Sequence, residues 1–235
     1  MYTIEGRVRY SEVDSGNRMR LPAIVNYFQD CTTFQSEDMG MGHQIMEKYG
    51  KVWILSYWQI EVERYPLIGE KIKVDTWSTG FEGIYGHREF RMCTENGEVL
   101  AWAHSLWLYM DVKKGRPTRP DEETQQAYGE EHLVEKEILP RKIILPEEGT
   151  ACESFPVLRS QIDTNEHVNN CQYIQMALEV LPECGHVGKI RVEYKKSAVL
   201  GDRIYPKVAM DEERKIVELC TAEGAPYAVI EFKEK

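Results

Sequence analysis

The feature that most constrains the fold of this chain is an internal repeat. Ser11-Glu12-Val13-Asp14-Ser15 returns as Ser160-Gln161-Ile162-Asp163-Thr164, and Gly69-Glu70-Lys71-Ile72 returns as Gly201-Asp202-Arg203-Ile204. Because the two matches occur in the same order, they indicate that the 235 residues hold two copies of one structural unit.

The same succession of elements can be read in each copy. Pro22 is favourable in the first turn of a helix that runs towards Asp38, with Ile24, Phe28, Cys31 and Phe34 on its buried face. Cys171 to Leu181 is the matching helix. The predicted strands are 52–62, 72–77, 85–92 and 99–112 in the first copy, and 187–194, 203–209, 215–221 and 227–232 in the second. Asn96-Gly97 predicts a hairpin turn that leads into the strand 99–112. This order predicts an α+β fold, a tandem (double) hotdog in which each long helix packs on an antiparallel sheet.

A change in composition separates the copies. Lys113 to Pro120 is basic and broken by prolines, and a polar stretch rich in Glu follows. We therefore predict an N-terminal unit at 1–112, a linker at 113–149 with one short helix near Asp121 to Tyr128, and a C-terminal unit at 150–235.

Charge and cysteine content exclude several classes of protein. A net charge of −10 argues against broad binding to nucleic acid or anionic membranes, and no apolar run approaches the ~20 residues of a membrane span. Residues 1–7 lack the basic and apolar regions of a signal peptide, so we expect a cytoplasmic protein. The six cysteines form no C-x-x-C pair, and Cys184 with His186 supplies too few ligands for zinc, which predicts reduced thiols and no metal.

The segment with the most chemistry is Asp163-Thr164-Asn165-Glu166-His167-Val168-Asn169-Asn170, directly before the second helix. A carboxylate can act as base or nucleophile, and a histidine can transfer a proton near neutral pH. The N–H groups of Val168 and Asn169, at the helix start, could hold a developing oxyanion. On spacing alone, a second interpretation is equally good: Asp163 or Asn170 caps the helix and His167 fills a turn.

The repeat bears on this choice. The first copy has Asn17 opposite Glu166 and Arg18 opposite His167. A purely structural turn would tolerate the same residues in both copies, so the histidine and the Asn pair that follows it suggest that the second unit reacts and the first unit serves it.

Here the sequence resembles the plant and bacterial acyl-acyl-carrier-protein (acyl-ACP) thioesterases. Their active-site segment is similar to Asp163-x-Asn165-x-His167-Val168-Asn169-Asn170-x-x-Tyr173-Ile174. Further similar motifs, in chain order, are Arg9-Tyr10-x-x-Val13-Asp14, Asn26-Tyr27-x-Gln29-Asp30, Trp53-Ile54-Leu55, Arg64-Tyr65-Pro66-x-x-Gly69-Glu70, Asp75-Thr76-Trp77, Ser105-Leu106-Trp107-x-x-Met110-Asp111, Arg119-Pro120-Asp121-Glu122 and Val192-Glu193-Tyr194-Lys195-Lys196.

The resemblance implies two hotdog units, no cofactor, and hydrolysis of fatty acyl-ACP to free fatty acid and holo-ACP in fatty acid biosynthesis. It places the catalytic residues at Asp163, Asn165 and His167, and the acyl chain in the first unit. Plant members carry an acid followed by Cys after the Glu-Tyr-basic-basic stretch, where this chain has Ser197 and Ala198. That departure rules out a cysteine nucleophile there.

These implications give each residue a role. Asp163 activates water or attacks the carbonyl to form an anhydride, and Asn165 holds the water or the carboxylate. His167 polarises the carbonyl or protonates the thiolate. For Ser197 the residues favour a supporting hydrogen bond to a water or to Asn165 over a nucleophile activated by His167, because no Gly-x-Ser-x-Gly elbow surrounds it. Phe28 and Trp107 would set the depth of the acyl pocket. Residues expected to dock the acidic carrier protein are Lys113, Lys114, Arg116, Arg119, Lys195 and Lys196. The cluster from Lys113 to Arg119 is equally consistent with a solvated linker.

Two other functions compete with this one. A thioesterase for coenzyme A esters would use the same chemistry, and a non-catalytic acyl-binding hotdog protein would need no proton transfer. The sequence leaves open the acyl chain length and whether the chain forms a homodimer.

Overall fold

In the computed structural model, residues 1–42, 48–146, 149–181, 185–211 and 213–235 are described. The chain forms two compact units. Unit 1 comprises residues 1–56 and 60–138, and unit 2 comprises residues 57–59 and 139–235. The stretch predicted as a linker, 113–149, is thus divided between them.

Unit 1 is a helix on an antiparallel sheet. Its elements are β1 (Tyr2–Arg7), α1 (Leu21–Asp38), β2 (Lys51–Val62, apart from residues 57–59), β3 (Lys71–Glu82), β4 (Tyr85–Thr94), β5 (Val99–Asp111), β6 (Arg116–Pro117) and α2 (Glu122–Tyr128). The strand order is β1-β3-β4-β5-β2, and β6 pairs with β5. The predicted hairpin between β4 and β5 is confirmed, because Gly97 adopts φ 88° and the N–H of Thr94 donates to the C=O of Glu98 at 2.9 Å.

The long helix α1 confirms the prediction made from Pro22 and buries one face against β1 and β3. Phe28 is fully buried, and its ring lies 5.3 Å from that of Phe90 on β4. The prediction for Phe34 is wrong, since its side chain is 49% exposed. The buried row continues instead to Gln35, four residues after Cys31, where Oε1 accepts a 2.5 Å hydrogen bond from Nη1 of the buried Arg88.

The short helix α2 confirms the prediction for Asp121 to Tyr128. Asp121 is its N-cap, with Oδ1 accepting from the N–H of Thr124 at 2.9 Å, and the helix packs on β3 of unit 1.

Unit 2 repeats this arrangement. Its elements are β7 (Thr150–Ala151), β8 (Phe155–Pro156), α3 (Asn170–Val180), β9 (Val187–Tyr194), β10 (Arg203–Met210), β11 (Lys215–Cys220) and β12 (Pro226–Glu234). The strand order is β9-β12-β11-β10-β7, and β8 pairs with β10. The helix α3 packs on β10, β11 and β12, so each unit is a long helix on an antiparallel sheet, as predicted.

No helix in the described ranges is long and apolar enough to cross a membrane. No three His, Cys, Asp or Glu side chains in those ranges group so as to hold a metal ion. The cysteines in those ranges form no disulfide, and Cys184 lies outside the described residues.

Candidate active site

The candidate site is a tight loop in unit 2, residues 163–167, which is closed by hydrogen bonds of Asp163. Its Oδ1 accepts the N–H of Asn165 at 2.8 Å and that of His167 at 3.3 Å. Its own N–H donates to the C=O of His167 at 2.8 Å, and its C=O accepts from Glu166 at 3.1 Å. Asp163 and His167 therefore face each other across the base of the loop, and the side chains of Asn165, Glu166 and His167 are exposed.

The equivalent loop of unit 1 has the same hydrogen bonds. Oδ1 of Asp14 accepts from Gly16 at 2.8 Å and from Arg18 at 3.0 Å, and the N–H of Asp14 donates to the C=O of Arg18 at 2.8 Å. Asn17 adopts φ 61°, the same value as Glu166. The repeat is thus confirmed at the level of single hydrogen bonds, and the aspartate that closes the loop is explained by the fold in both units.

What differs between the loops is the side chains that they present. Unit 1 offers Gly16, Asn17 and Arg18, whereas unit 2 offers Asn165, Glu166 and His167 at the same positions. Since the backbone geometry is shared, the second set is not required by the fold.

The chain after β9 runs alongside this loop. His167 and Val199 form an antiparallel bridge, and the N–H of Val168 donates to the C=O of Ala198 at 2.9 Å. This register brings the exposed Ser197, three residues after the end of β9, next to the candidate loop. The supporting role of Ser197 stays a prediction.

The structure corrects two expectations at the start of α3. The N-cap is Asn169, whose Oδ1 accepts from the N–H of Cys171 at 2.9 Å, and neither Asp163 nor Asn170 caps the helix. The oxyanion role of Val168 and Asn169 is also wrong, because their N–H groups already donate to the carbonyls of Ala198 and Gln161, both at 2.9 Å. An N–H group that already donates to a carbonyl of the fold is not available to stabilise a reacting oxygen.

Another backbone donor at the start of α3 is not used by the fold. The N–H of Asn170, at the first position of α3, makes no hydrogen bond in the described part of the chain. First-turn N–H groups lack partners within a helix and carry the positive end of its dipole. This donor could have been found from the sequence by assigning Asn169 as the N-cap, because Asn170 is then the first residue of α3.

Tyr173 is a further residue that sequence reasoning did not assign. It is 2% exposed, and its Oη accepts the N–H of the fully buried Ala198 at 2.7 Å. Burial raises the pKa of this phenol to about 12, so it is neutral near pH 7. Unit 1 has Ile24 and Pro66 at the equivalent positions, and a proline has no N–H to satisfy.

This comparison yields a stability prediction. Tyr173→Phe leaves the N–H of Ala198 buried without an acceptor, so we expect a loss of ~1–3 kcal/mol in the free energy of unfolding, measured by urea denaturation. Adding Ala198→Pro, the solution used by unit 1 at Pro66, should recover part of that loss. Tyr173→Phe unfolding at the wild-type urea concentration would show that the hydrogen bond is not needed.

The residues predicted to line an acyl pocket lie on different elements of unit 1. Phe28 is on the buried face of α1. Trp107 is half-buried on β5, and its Nε1 donates to Oγ of Ser105 at 2.7 Å. Their role in binding an acyl chain stays a prediction.

The predicted docking residues are exposed and fall in two groups, Lys113, Lys114, Arg116 and Arg119 in unit 1, and Lys195 and Lys196 in unit 2. Lys114 pairs with Asp111 at 3.5 Å and Lys195 pairs with Glu193 at 2.5 Å. Partial neutralisation by these acids weakens the positive potential that each group presents.

Comparison with known families decides what the chain is. The family model for the acyl-ACP thioesterase N-terminal domain matches residues 1–128, and that for the C-terminal domain matches residues 146–226. The chain belongs to the acyl-ACP thioesterase family. The predicted tandem hotdog fold is confirmed with it.

Two curated plant proteins are similar to this chain. The palmitoyl-acyl carrier protein thioesterase of Gossypium hirsutum is 25% identical over 80% of this chain and 50% of its own length. The dodecanoyl-[acyl-carrier-protein] hydrolase of Cinnamomum camphora is 26% identical over 82% of this chain and 55% of its own length. The chain thus spans about half the length of these relatives, both of which are chloroplastic.

Solved structures match almost the whole chain. An acyl-ACP thioesterase from Bacteroides thetaiotaomicron has a TM-score of 0.89 at 20% identity, covering 98% of this chain and 96% of that one. The 12:0-ACP thioesterase of Umbellularia californica has a TM-score of 0.84 at 19% identity, covering 99% and 94%. At these identities the likeness to solved structures establishes the fold of this thioesterase family member.

Proposed function

We propose that this protein hydrolyses the thioester of fatty acyl-ACP, releasing free fatty acid and holo-ACP. The observation that carries the proposal is the pair of loops with the same backbone hydrogen bonds, of which one presents Asn165 and His167 and the other presents Gly16 and Arg18. Membership of the thioesterase family supports the same conclusion.

The loop supplies the groups that thioester hydrolysis needs. Asp163 uses Oδ1 to hold the loop, which leaves Oδ2 to act on water or on the acyl carbon. Asn165 holds the water or the carboxylate through its amide. His167 polarises the carbonyl or protonates the departing thiolate, and the N–H of Asn170 stabilises the negative charge on the carbonyl oxygen.

The direct test is an assay of the purified protein on ACP thioesters of graded acyl chain length, each matched by the coenzyme A thioester of the same acyl group. We expect turnover of the carrier-linked series with kcat/KM well above that for coenzyme A. The reverse preference would support an acyl-CoA thioesterase, and binding without turnover would support an acyl-binding protein. The cytoplasmic location stays a prediction.

Chain-length selection is proposed to lie in unit 1. Phe28→Leu or Trp107→Leu removes ring atoms and should deepen the pocket. Since a buried methylene contributes ~0.8 kcal/mol, a substrate two carbons longer should gain roughly tenfold in kcat/KM. Phe232→Leu on β12 is the matched loss of a buried ring in unit 2. A change in chain-length preference caused by Phe232→Leu, and by neither unit 1 variant, would contradict the proposal that unit 1 selects the chain length.

Carrier docking is proposed to use the exposed basic residues. Lys113→Glu with Lys114→Glu should raise KM for acyl-ACP and leave KM for a small thioester unchanged, because only the carrier is acidic. The wild-type KM for acyl-ACP should also rise with salt, as the Debye length falls to ~8 Å and below. Equal effects on both substrates would indicate damage to the site and not to docking. Lys195→Glu with Lys196→Glu repeats the test for unit 2.

A further inference from the structure

The backbone at Glu166 is in an unfavourable conformation for its side chain. Glu166 has φ 61°, in the left-handed region, where L-residues other than Gly, Asn and Asp are disfavoured. At the equivalent position, with the same φ of 61°, unit 1 has Asn17, a residue that tolerates this region. The fold therefore prefers Asn at this position, and unit 2 keeps Glu at a cost in stability.

The surroundings of Glu166 indicate why a glutamate is kept at a position where it lowers stability. Its neighbours are Asn165 and His167, the two polar groups that distinguish this loop from the loop of unit 1. Its side chain is exposed, and in the described ranges its carboxylate makes no hydrogen bond or ion pair. Asp163, the other acid of the loop, has one oxygen occupied by two backbone N–H groups. Glu166 is thus the carboxylate of the loop that the fold does not use.

Resting on the proposed thioester hydrolysis, we infer that Glu166 is a catalytic residue that accepts the proton of the attacking water. The water loses its proton to the Glu166 carboxylate as its oxygen bonds to the acyl carbon. Asp163 is then left with the second of its proposed roles, attack on the carbonyl through Oδ2 to form the anhydride that this water opens. His167 gives its proton to the departing thiolate and later recovers one from Glu166, so that each turnover consumes one thioester and one water.

If the strain at Glu166 is retained for function, a substitution that relieves it should raise stability and lower activity. Glu166→Asn should raise the thermal midpoint by ~2 °C, since it relieves strain at the left-handed residue. The same variant should lose ~10²-fold in kcat, as for removal of a general base. Asn17→Glu is the matched control, and it should lower the midpoint by a similar amount while leaving kcat unchanged.

A second pair of variants separates the carboxylate from the backbone effect. Glu166→Gln keeps the shape and the strain but removes the charge, and it should lose about as much rate as Glu166→Asn. Glu166→Gly opens space in the loop, and sodium formate should restore part of its activity, as an external base replacing the missing one. Formate should not restore His167→Ala.

The outcomes are distinguishable. Wild-type turnover with a ~10²-fold loss in Glu166→Gln, and recovery of Glu166→Gly by formate, would establish the assignment. Wild-type turnover that persists in Glu166→Gln would overturn it and leave the thioesterase function intact. No turnover of any acyl thioester by the wild type would overturn the proposed function, and this assignment with it.

Discussion

Replacing His167 by alanine is expected to lower kcat/KM for acyl-ACP by at least ~10²-fold without unfolding the protein. The loss follows because no other group of the candidate loop can donate a proton to the thiolate near neutral pH. The imidazole is exposed, and the loop is closed by the backbone of residue 167 and by Asp163, so the substitution should change the free energy of unfolding by less than ~0.5 kcal/mol.

The control for this variant is in the other unit. Arg18 is the equivalent of His167 and has the same backbone hydrogen bonds to its aspartate. Arg18→Ala should therefore retain wild-type turnover and stability. Stopped-flow release of the thiol, with circular dichroism as the check of folding, measures both variants. Near-normal turnover of folded His167→Ala would remove His167 from the mechanism.

Asp163→Asn should have an effect of similar size for a different reason. An asparagine side chain also has an oxygen that can accept the N–H groups of Asn165 and His167, so the loop should remain closed. It has no negative charge to act on water or on the acyl carbon. We expect kcat to fall at least ~10²-fold at nearly unchanged stability.

Asp14→Asn makes the same exchange in the loop of unit 1. It should leave both kcat and the urea midpoint at the wild-type values, because Asp14 only closes its loop. If Asp163→Asn and Asp14→Asn behave alike, the carboxylate of Asp163 is a structural residue and the chemistry lies elsewhere in the site. Different behaviour would separate loop closure by the aspartate, which both loops share, from the negative charge, which only one loop uses.

The parts of the fold that sequence predicted are those with local causes. Pro22 and the spacing of Ile24, Phe28 and Cys31 predicted α1, and Asn96-Gly97 predicted a turn, because each depends on residues close in sequence. Phe34 was assigned to the buried face of α1 because its side chain is apolar, but an apolar residue need not occupy a buried position. The buried position is occupied by Gln35, whose amide oxygen accepts a hydrogen bond from Arg88 on strand β4.

In the candidate site, too, the features with local causes could be predicted from the sequence and the non-local ones could not. The Asp163 to His167 segment could be found from residue types and from the repeat, both of which are visible in sequence. The availability of backbone donors could not, because it depends on carbonyls such as that of Ala198, distant in sequence from Val168. The hydrogen bond from Ala198 to Tyr173 is equally non-local. The strain at Glu166 is a dihedral angle, which a residue name does not reveal.

We propose that the chemistry lies in the side chains that the unit 2 loop presents and not in its backbone. The most direct test is to give unit 2 the loop of unit 1, by combining Thr164→Ser, Asn165→Gly, Glu166→Asn and His167→Arg while Asp163 is kept. Both loops have the same hydrogen bonds, so the variant should unfold cooperatively near the wild-type temperature. Its rate of acyl-ACP hydrolysis should fall at least ~10³-fold. A folded variant that hydrolyses acyl-ACP at a rate near that of the wild type would contradict the account.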